Sequence, residues 1–267
     1  MITVASLAPY LGGALVLGGI AVAASRRREL FIRWCAWAVA VPLVTGAFWL
    51  GRPGAAVIAI AAGVIGVMEY GGLMRLGRAD RAVLATAVTG VVLAALLAPG
   101  QVLRVVATGA LAVAAVPLVA GDADHGQRRL GAGLLGLAWL SVLAALVPLG
   151  ATALALFVAV STADIVAYFA GRKLGGPRLS PLSPAKRWSG TLAGAAAGLG
   201  VLAVLSTLNW PMAVAVAVGG PAGDLLESMI KRSAQAKDAG RWLPGSGGLL
   251  DRIDSLLLAL AVLLVLR

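Results

Sequence analysis

The ionisable residues of this sequence concentrate near its C-terminus, and their spacing indicates phosphate chemistry. Asp224 and Glu227 are three positions apart. Asp251 and Asp254 repeat that spacing, so each pair falls on one face of its segment if the segment is helical. Basic residues lie beside these acids, at Lys231, Arg232, Lys237, Arg241 and Arg252. Because carboxylates suit a hard divalent cation and basic groups neutralise phosphate, we predict a site for one or two Mg²⁺ ions carrying a polyphosphate, with a self-neutralising salt-bridge network as the alternative.

A glycine-rich segment separates the two acid pairs. Residues 244–248 have the sequence Pro-Gly-Ser-Gly-Gly. This composition predicts a tight turn, because the missing side chains let backbone N–H groups approach a ligand where the turn leads into the last helix. Gly247 and Gly248 are therefore predicted to bind substrate phosphates.

A second polar set lies upstream, in and after a hydrophobic run. Asp164 stands six residues before the end of that run, and Tyr168 follows one helical turn later. An ionisable residue at membrane depth is costly and usually functional, with an interhelical hydrogen bond as the alternative. Residues 171–189 then carry five basic side chains among hydroxyl groups and turn formers. That composition indicates a phosphate-binding loop, against the alternative of a loop that contacts lipid headgroups.

The composition restricts the class of protein. Of the 267 residues, 60% are hydrophobic and 12% are charged, compared with roughly 45–50% apolar residues in soluble domains. We therefore predict an all-α polytopic integral membrane protein. The formal net charge is +11, but the basic residues lie between hydrophobic runs, so we expect no nucleic-acid partner. The single Cys35 excludes an internal disulfide, and the single His125 is interpreted as a solvated loop residue.

Ten apolar runs approach the length of a membrane helix, which predicts about ten transmembrane helices with nine as the alternative count. They cover residues 8–24, 34–50, 54–69, 83–99, 102–120, 131–149, 151–170, 190–208, 211–230 and 254–266. The first run is interpreted as a retained helix rather than a signal peptide, because its arginines follow the apolar stretch. Gly190, Gly194 and Gly198 form a small-residue stripe that we expect to pack within the chain.

The basic residues alternate between the connecting segments. All Lys and Arg residues except Arg52, Arg104 and Arg267 lie in every second connection. The positive-inside rule then predicts that both termini face outward and that the C-terminal acid cluster faces the cytoplasm. We divide the chain into N-terminal transmembrane helices, residues 1–150, and a C-terminal catalytic region, residues 151–267. The expected location is a bacterial inner membrane.

The C-terminal motifs together resemble the signature of the phosphatidate cytidylyltransferase (CDP-diacylglycerol synthase) family. The signature runs from Ser228 to Asp254, with Ser-x-Ile-Lys-Arg at its start and Gly-Gly-Leu-x-Asp-Arg-Ile-Asp at its end. The resemblance extends to the motifs at residues 223–228, 164–172 and 183–186. Three positions depart from the family pattern, since Arg187, Ser189 and Ser246 stand where the family usually has Thr, Glu and His.

The resemblance implies that CTP and phosphatidate give CDP-diacylglycerol and pyrophosphate, a step of phospholipid biosynthesis. The residues implied to be catalytic are Asp224, Lys237, Asp238, Asp251 and Asp254. The expected Mg²⁺ ligands are Asp224, Asp251 and Glu227. The residues expected to bind the substrates are Asp164, Tyr168, Arg172, Ser183, Lys186, Ser228, Lys231, Arg232, Gly247, Gly248 and Arg252.

Three alternatives remain at the level of sequence. The lipid substrate could be a different phosphate monoester, because contacts with acyl chains are generic. The departures from the family pattern leave room for a non-catalytic paralogue. A transporter is disfavoured, because its interrupted helices usually occur in both halves of the chain, whereas the charges here concentrate near the C-terminus. A homodimer is left open.

Overall fold

The computed structural model describes residues 2–25, 28–240 and 247–267. Its helices follow the apolar runs, because a backbone in lipid must satisfy its own hydrogen bonds. The helices are α1 (Val4–Ser25), α2 (Arg28–Trp49), α3 (Arg52–Leu73), α4 (Arg78–Leu97), α5 (Val102–Val119), α6 (Gly126–Leu140), α7 (Leu146–Leu149), α8 (Ala151–Leu174), α9 (Trp188–Val204), α10 (Trp210–Val214), α11 (Gly220–Ser233) and α12 (Leu250–Leu266). Two short strands, β1 (Arg178–Ser180) and β2 (Ser183–Arg187), lie between α8 and α9.

Eight helical segments in the described ranges are long and apolar enough to cross a membrane. They are Val4–Ser25, Leu30–Trp49, Arg52–Leu73, Arg78–Leu97, Pro99–Val119, Gly126–Leu149, Ala151–Leu174 and Trp210–Ser233. The prediction of an all-α polytopic membrane protein is confirmed. Each of the ten predicted runs overlaps a helical segment, but α9 and α12 are shorter than the roughly 20 residues that a span prefers. The count of ten transmembrane helices therefore stays a prediction.

Two of the predicted runs are not single α-helices. The sixth run continues from α6 through a 3₁₀ segment, Ser141–Ala145, into α7. The ninth begins as α10, passes through a π-helical segment at Ala215–Gly219 and continues as α11. Pro221 in the first turn of α11 has no backbone N–H to donate, and a wider turn before it accommodates that loss. The irregular segment therefore sets the direction in which α11 continues towards Asp224.

Glycines bring the helices that carry the predicted site into close contact. A Cβ atom at Gly194 in α9 would lie 2.5 Å from the carbonyl oxygen of Ala163 in α8. The expected packing of the glycine stripe within the chain is confirmed. In α11, a Cβ atom at Gly223 would lie 2.9 Å from the Cα atom of Ser255 in α12. Backbones can approach this closely only where a side chain is missing, so α8 lies directly against α9, and α11 against α12.

The buried core around α3 fixes the C-terminal end of that helix. Tyr70 is fully buried, and its hydroxyl donates a hydrogen bond to the carbonyl oxygen of Ala132 at 2.7 Å. Its ring packs edge-on against Trp139, with 6.2 Å between the ring centroids. Gly136 leaves space for this ring, because a Cβ atom there would lie 2.6 Å from it. The preceding residue, Glu69, is therefore held at a well-defined place.

A β-hairpin replaces the irregular loop expected after α8. Its strands pair antiparallel, with Ser180 opposite Ser183. A two-stranded hairpin is marginally stable by itself. Here it is fastened to α11, because Nε of Arg232 donates a hydrogen bond to the carbonyl oxygen of Leu182 at 3.1 Å. The contact with α11 therefore helps to fix the position of the hairpin.

Arg129 in α6 connects this helix to α4 and to the loop before it. Its guanidinium donates hydrogen bonds to both carboxylate oxygens of Asp80, at 2.9 and 3.1 Å, and to Asp122 at 2.7 Å. The hydrogen bond from Arg129 holds the pKa of the Asp122 carboxyl below its usual range, and the backbone N–H of His125 adds to this effect.

The imidazole of His125 is 70% exposed, which confirms its interpretation as a solvated loop residue.

We expect Arg129→Ala to lower the free energy of unfolding by about 3 kcal/mol, because the buried Asp80 carboxylate would lose its partner. The measurement is the Tm of the purified protein in detergent. Arg128→Ala is the matched control, since it removes the same charge from the adjacent, exposed position. Equal Tm values for the two variants would contradict this role of Arg129.

Candidate active site

A cavity of about 580 Å³ lies between α8, β2, α9 and α11. Small and apolar side chains form much of its wall, and charged and hydroxyl groups form the rest. The predicted site residues that line it are Asp164, Tyr168, Arg172, Ser183, Lys186 and Asp224. Residues from three separate stretches of the sequence thus meet at one cavity. Such a cavity suits a ligand that is apolar in one part and anionic in another.

A salt bridge between Lys186 and Asp224 spans this cavity. It joins β2 to α11, and its two side chains are 27% and 28% exposed. Asp164 in α8 lies close enough to both of them to interact electrostatically. The hydroxyl of Ser228 donates to Asp224 at 3.4 Å. The cavity therefore offers a ligand one ammonium group and two carboxylates.

A second group of acids is buried between α11 and α12. Glu227 is 1% exposed and Asp254 is 7% exposed, and their carboxyl groups face one another. Lys231 donates to Oε2 of Glu227 at 2.5 Å. Within the described part of the chain, Oε1 of Glu227 has no hydrogen-bond partner. Asp224 lies close enough to Asp254 to interact with it, so this buried group adjoins the salt bridge of the cavity.

Asp251 organises the turn that precedes α12. Its Oδ1 accepts a hydrogen bond from Nζ of Lys231 at 2.9 Å. Its Oδ2 accepts hydrogen bonds from the backbone N–H groups of Gly248 at 2.7 Å and Ala239 at 3.0 Å. Gly247 permits the turn with a φ of 81°, and a Cβ atom there would lie 2.6 Å from Oδ2. This carboxylate therefore ties the end of α11, the loop after it and the start of α12 together.

Arg172 and Tyr168, which are four residues apart and so lie on one face of α8, form a pair at the cavity. Nη1 of Arg172 donates to the Tyr168 hydroxyl at 2.6 Å. The guanidinium carbon lies 5.5 Å from the centroid of the phenol ring. Both side chains are exposed. The phenol therefore orients the guanidinium, and leaves other N–H groups of Arg172 to bind an anion.

Two of the departures from the family pattern have structural roles at the base of the hairpin. Nη1 of Arg187 donates to the carbonyl oxygen of Gly176 at 3.0 Å. The hydroxyl of Ser189 donates to the carbonyl oxygen of Gly175. Both contacts fasten the end of β2 and the start of α9 to the turn that follows α8. Arg187 also lines the cavity, so this departure retains a cation there.

Other predicted site residues lie elsewhere. Lys237 and Asp238 are exposed in the loop after α11, and the Cβ atom of Asp238 lies 3.7 Å from the position of a Cβ atom on Gly247. Arg252 lines a separate, apolar cavity of about 210 Å³ formed with α2, α3 and α8. Arg241 and Ser246 lie outside the described residues, and their roles stay predictions.

Glu69 was not predicted as a site residue. Its carboxylate accepts hydrogen bonds from the backbone N–H groups of Leu249 and Leu250 at the start of α12. An acid near the end of a hydrophobic run was a signal, and the same signal had indicated Asp164. Its partner could not be deduced, because Leu249 is 180 residues away in the sequence. Ser255 was also missed, although its buried hydroxyl lies beside Asp164.

The acids provide oxygen donors for a divalent cation without forming a closed cage. In residues 2–25, 28–240 and 247–267, no three His, Cys, Asp or Glu side chains are grouped as a complete metal site. Mg²⁺ commonly takes one or two carboxylates together with phosphate and water oxygens. The unpaired Oε1 of Glu227 and the nearby Asp224 fit that requirement. Asp251 has both oxygens engaged, so binding a metal would require it to exchange Lys231 or backbone donors for the cation.

Sequence comparison identifies the family. Residues 31–267 match the model of the cytidylyltransferase family. The chain belongs to this family. The match with the cytidylyltransferases extends beyond the C-terminal signature and includes α3, which carries Glu69.

Several similar proteins are named phosphatidate cytidylyltransferase. One from Brucella abortus is 47% identical over 134 residues, which are 46% of this chain and 50% of that protein. One from Pseudomonas aeruginosa is 40% identical over 153 residues, which are 51% of this chain and 55% of that protein. One from Synechocystis is 42% identical over 109 residues, or 37% of each chain. The chain spans about half the length, or less, of the curated relatives it matches.

Proposed function

We propose that this cytidylyltransferase transfers CMP from CTP to phosphatidate and releases CDP-diacylglycerol and pyrophosphate. The observation that carries the proposal is the cavity between α8, β2, α9 and α11, in which apolar walls meet Lys186, Arg172 and Asp224. A lipid phosphate requires both kinds of surface. The similarity to proteins named phosphatidate cytidylyltransferase supports this pair of substrates.

In the proposed reaction, a phosphate oxygen of phosphatidate attacks the α-phosphorus of CTP. The bond from that phosphorus to the oxygen bridging it to the β-phosphate breaks, and pyrophosphate leaves with the electron pair. Both reactants are anions, so positioning and charge neutralisation must supply most of the catalysis. Lys186 and Arg172 would bind the lipid phosphate, since both line the cavity. Lys186 would then exchange the carboxylate of Asp224 for the phosphate.

The phosphates of CTP are proposed to bind beside the N-terminus of α12. Gly247 has a φ of 81° and no side chain that would obstruct a phosphate beside this turn. The N–H groups of Gly248, Leu249 and Leu250 already donate to Asp251 and Glu69, so the phosphates would depend on nearby basic side chains. Lys237 is exposed in the loop beside the turn and would supply positive charge. Lys231 has a different part, because Glu227 and Asp251 hold its ammonium group between α11 and α12. It would balance their charge next to the nucleotide.

The residues proposed to hold Mg²⁺ are Asp224, Glu227 and Asp254. The bound cation would neutralise phosphate charge and polarise the α-phosphoryl group. The buried and unpaired oxygen of Glu227 supports this assignment. Asp251 would mainly stabilise the fold of the site, since its hydrogen bonds order the turn before α12.

We further propose that the site faces the cytoplasm of a bacterial inner membrane. The alternation of basic connections supports this orientation, and CTP is available on that side. The groups named here all come from one chain, so the proposed reaction does not require a homodimer.

The test is an assay of the purified protein with radiolabelled CTP, Mg²⁺ and a panel of lipid phosphates that includes phosphatidate and an isoprenoid phosphate. We expect a labelled CDP-lipid with phosphatidate. A product formed only with another lipid phosphate would contradict phosphatidate as the substrate. The absence of any CDP-lipid would contradict the proposed activity.

A further inference from the structure

The N-terminus of α12 is capped by a carboxylate from another helix. Glu69, near the end of α3, is 5% exposed. Its Oε1 accepts a hydrogen bond from Leu249 N at 2.9 Å, and its Oε2 accepts one from Leu250 N at 2.7 Å. Leu249 already has helical dihedral angles, with φ −67° and ψ −39°. These N–H groups therefore belong to the first turn of α12, where no partner exists within the helix and a negative charge is favourable.

Two glycines leave the space that Glu69 occupies. A Cβ atom at Gly248 would lie 2.6 Å from both carboxylate oxygens, and one at Gly240 would overlap Oε1. Gly248 precedes the first turn of α12, where a Ser, Thr, Asp or Asn side chain usually accepts hydrogen bonds from the helix. The cap that Gly248 cannot provide comes instead from Glu69.

The capped turn is connected to Asp251 and Lys231, which lie beside the proposed position of the CTP phosphates. We call this region the nucleotide side of the site. The N–H of Gly248 donates to Asp251, which also accepts from Lys231. Glu69 thus stands at the start of a continuous set of contacts that leads from α3 to the end of α11. The described lining of the cavity at Lys186 does not include these residues. A shift of this turn should therefore disturb the nucleotide more than the lipid phosphate.

We propose that Glu69 is a positioning residue for the nucleotide side of the site. By capping α12, its carboxylate holds the turn from Gly247 to Asp251 where the phosphates of CTP are proposed to bind. The inference rests on the proposed function and deepens it. It gives α3, outside the C-terminal signature, a direct part in ordering the site.

The test compares wild type with Glu69→Ala, Gly248→Ser and the double variant. In Glu69→Ala two N–H groups of α12 lose their partner, so we expect the KM for CTP to rise about tenfold while the KM for phosphatidate stays within about twofold. A smaller folded fraction alone would lower kcat and leave both KM values unchanged. Met68→Ala, which shortens the adjacent exposed side chain, is the control and should change neither KM.

The double variant examines the cap itself. Gly248→Ser alone should be harmful, because its Cβ atom would collide with Glu69. In Glu69→Ala that space is empty, and the serine hydroxyl can cap α12 locally. We therefore expect the double variant to have a lower KM for CTP and a higher Tm than Glu69→Ala. The same substitution would then be harmful in one background and beneficial in the other.

Two outcomes would overturn the positioning role: equal increases in both KM values, or a double variant that is no better than Glu69→Ala. A wild-type protein without CDP-lipid formation would instead overturn the proposed function. In that case the Tm values would still decide the capping role. A lower Tm in Glu69→Ala that the serine restores would support it, and an unchanged Tm would overturn it.

Discussion

Asp224→Asn should reduce CMP transfer about 100- to 1,000-fold while the protein remains folded. Asp224 belongs both to the cavity, through its salt bridge with Lys186, and to the buried acids, through its proximity to Asp254. Asparagine has nearly the same shape but no charge, so it can neither balance Lys186 nor bind a divalent cation strongly. The loss of the salt bridge should cost little stability, because both side chains are partly exposed.

The measurements for Asp224→Asn are the rate of CDP-lipid formation at several Mg²⁺ concentrations and the Tm in detergent. Asp124→Asn is the matched control, because it makes the same chemical change at an exposed position between α5 and α6. The control should keep both the rate and the Tm of wild type. Full activity in Asp224→Asn would show that Asp224 has no role in the reaction. A large fall in Tm would attribute the lost activity to unfolding.

The membrane helices could be predicted because their signal is local. A backbone in lipid must satisfy its hydrogen bonds within each helix, so the length and composition of an apolar run indicate a helix without knowledge of its neighbours. The ends and the irregular segments of these helices depend on particular side chains and on neighbouring helices. They are therefore harder to predict from the sequence. The π-helical segment before Pro221 and the 3₁₀ segment after α6 are examples.

The site residues could be predicted only in part. Spacing indicates that Asp224 and Glu227 share a face of α11, and both lie close enough to Asp254 to interact with it electrostatically, which agrees with this. Spacing within one helix does not indicate which other helix lies opposite. The expectation that Asp251 joins Asp224 at a metal ion therefore rested on resemblance, whereas in the structure Asp251 contacts Lys231 and two backbone N–H groups.

The hairpin and the contribution of Glu69 depend on long-range contacts. Strands as short as β1 and β2 carry no recognisable alternation of apolar and polar residues, and the hairpin is held by contacts with α11 and with the turn after α8. The two N–H groups that donate hydrogen bonds to Glu69 belong to leucines, whose side chains do not indicate this contact. On the side of α12, the local indication is the glycine at Gly248, a position where a capping side chain is usual.

Asp251→Asn should abolish activity and also lower the free energy of unfolding by about 3 kcal/mol. The Asp251 side chain is 10% exposed. An asparagine amide would keep one acceptor oxygen and turn an NH₂ group towards either Lys231 or the N–H groups of Gly248 and Ala239. Each orientation brings two donors together, and Lys231 would keep only Glu227 as an anionic partner.

The Tm and the transfer rate of Asp251→Asn therefore separate its two proposed roles. If Asp251 mainly orders the turn before α12, its variant should have a lower Tm than Asp224→Asn, and Asp124→Asn should resemble wild type in both measurements. If the carboxylate instead serves as a metal ligand, as the family resemblance implies, Asp251→Asn should lose activity and have the same Tm as Asp224→Asn. A Tm difference between the two variants would thus show that Asp224 acts mainly on the ligand and Asp251 mainly on the stability of the protein, although both lie in motifs that resemble the same family.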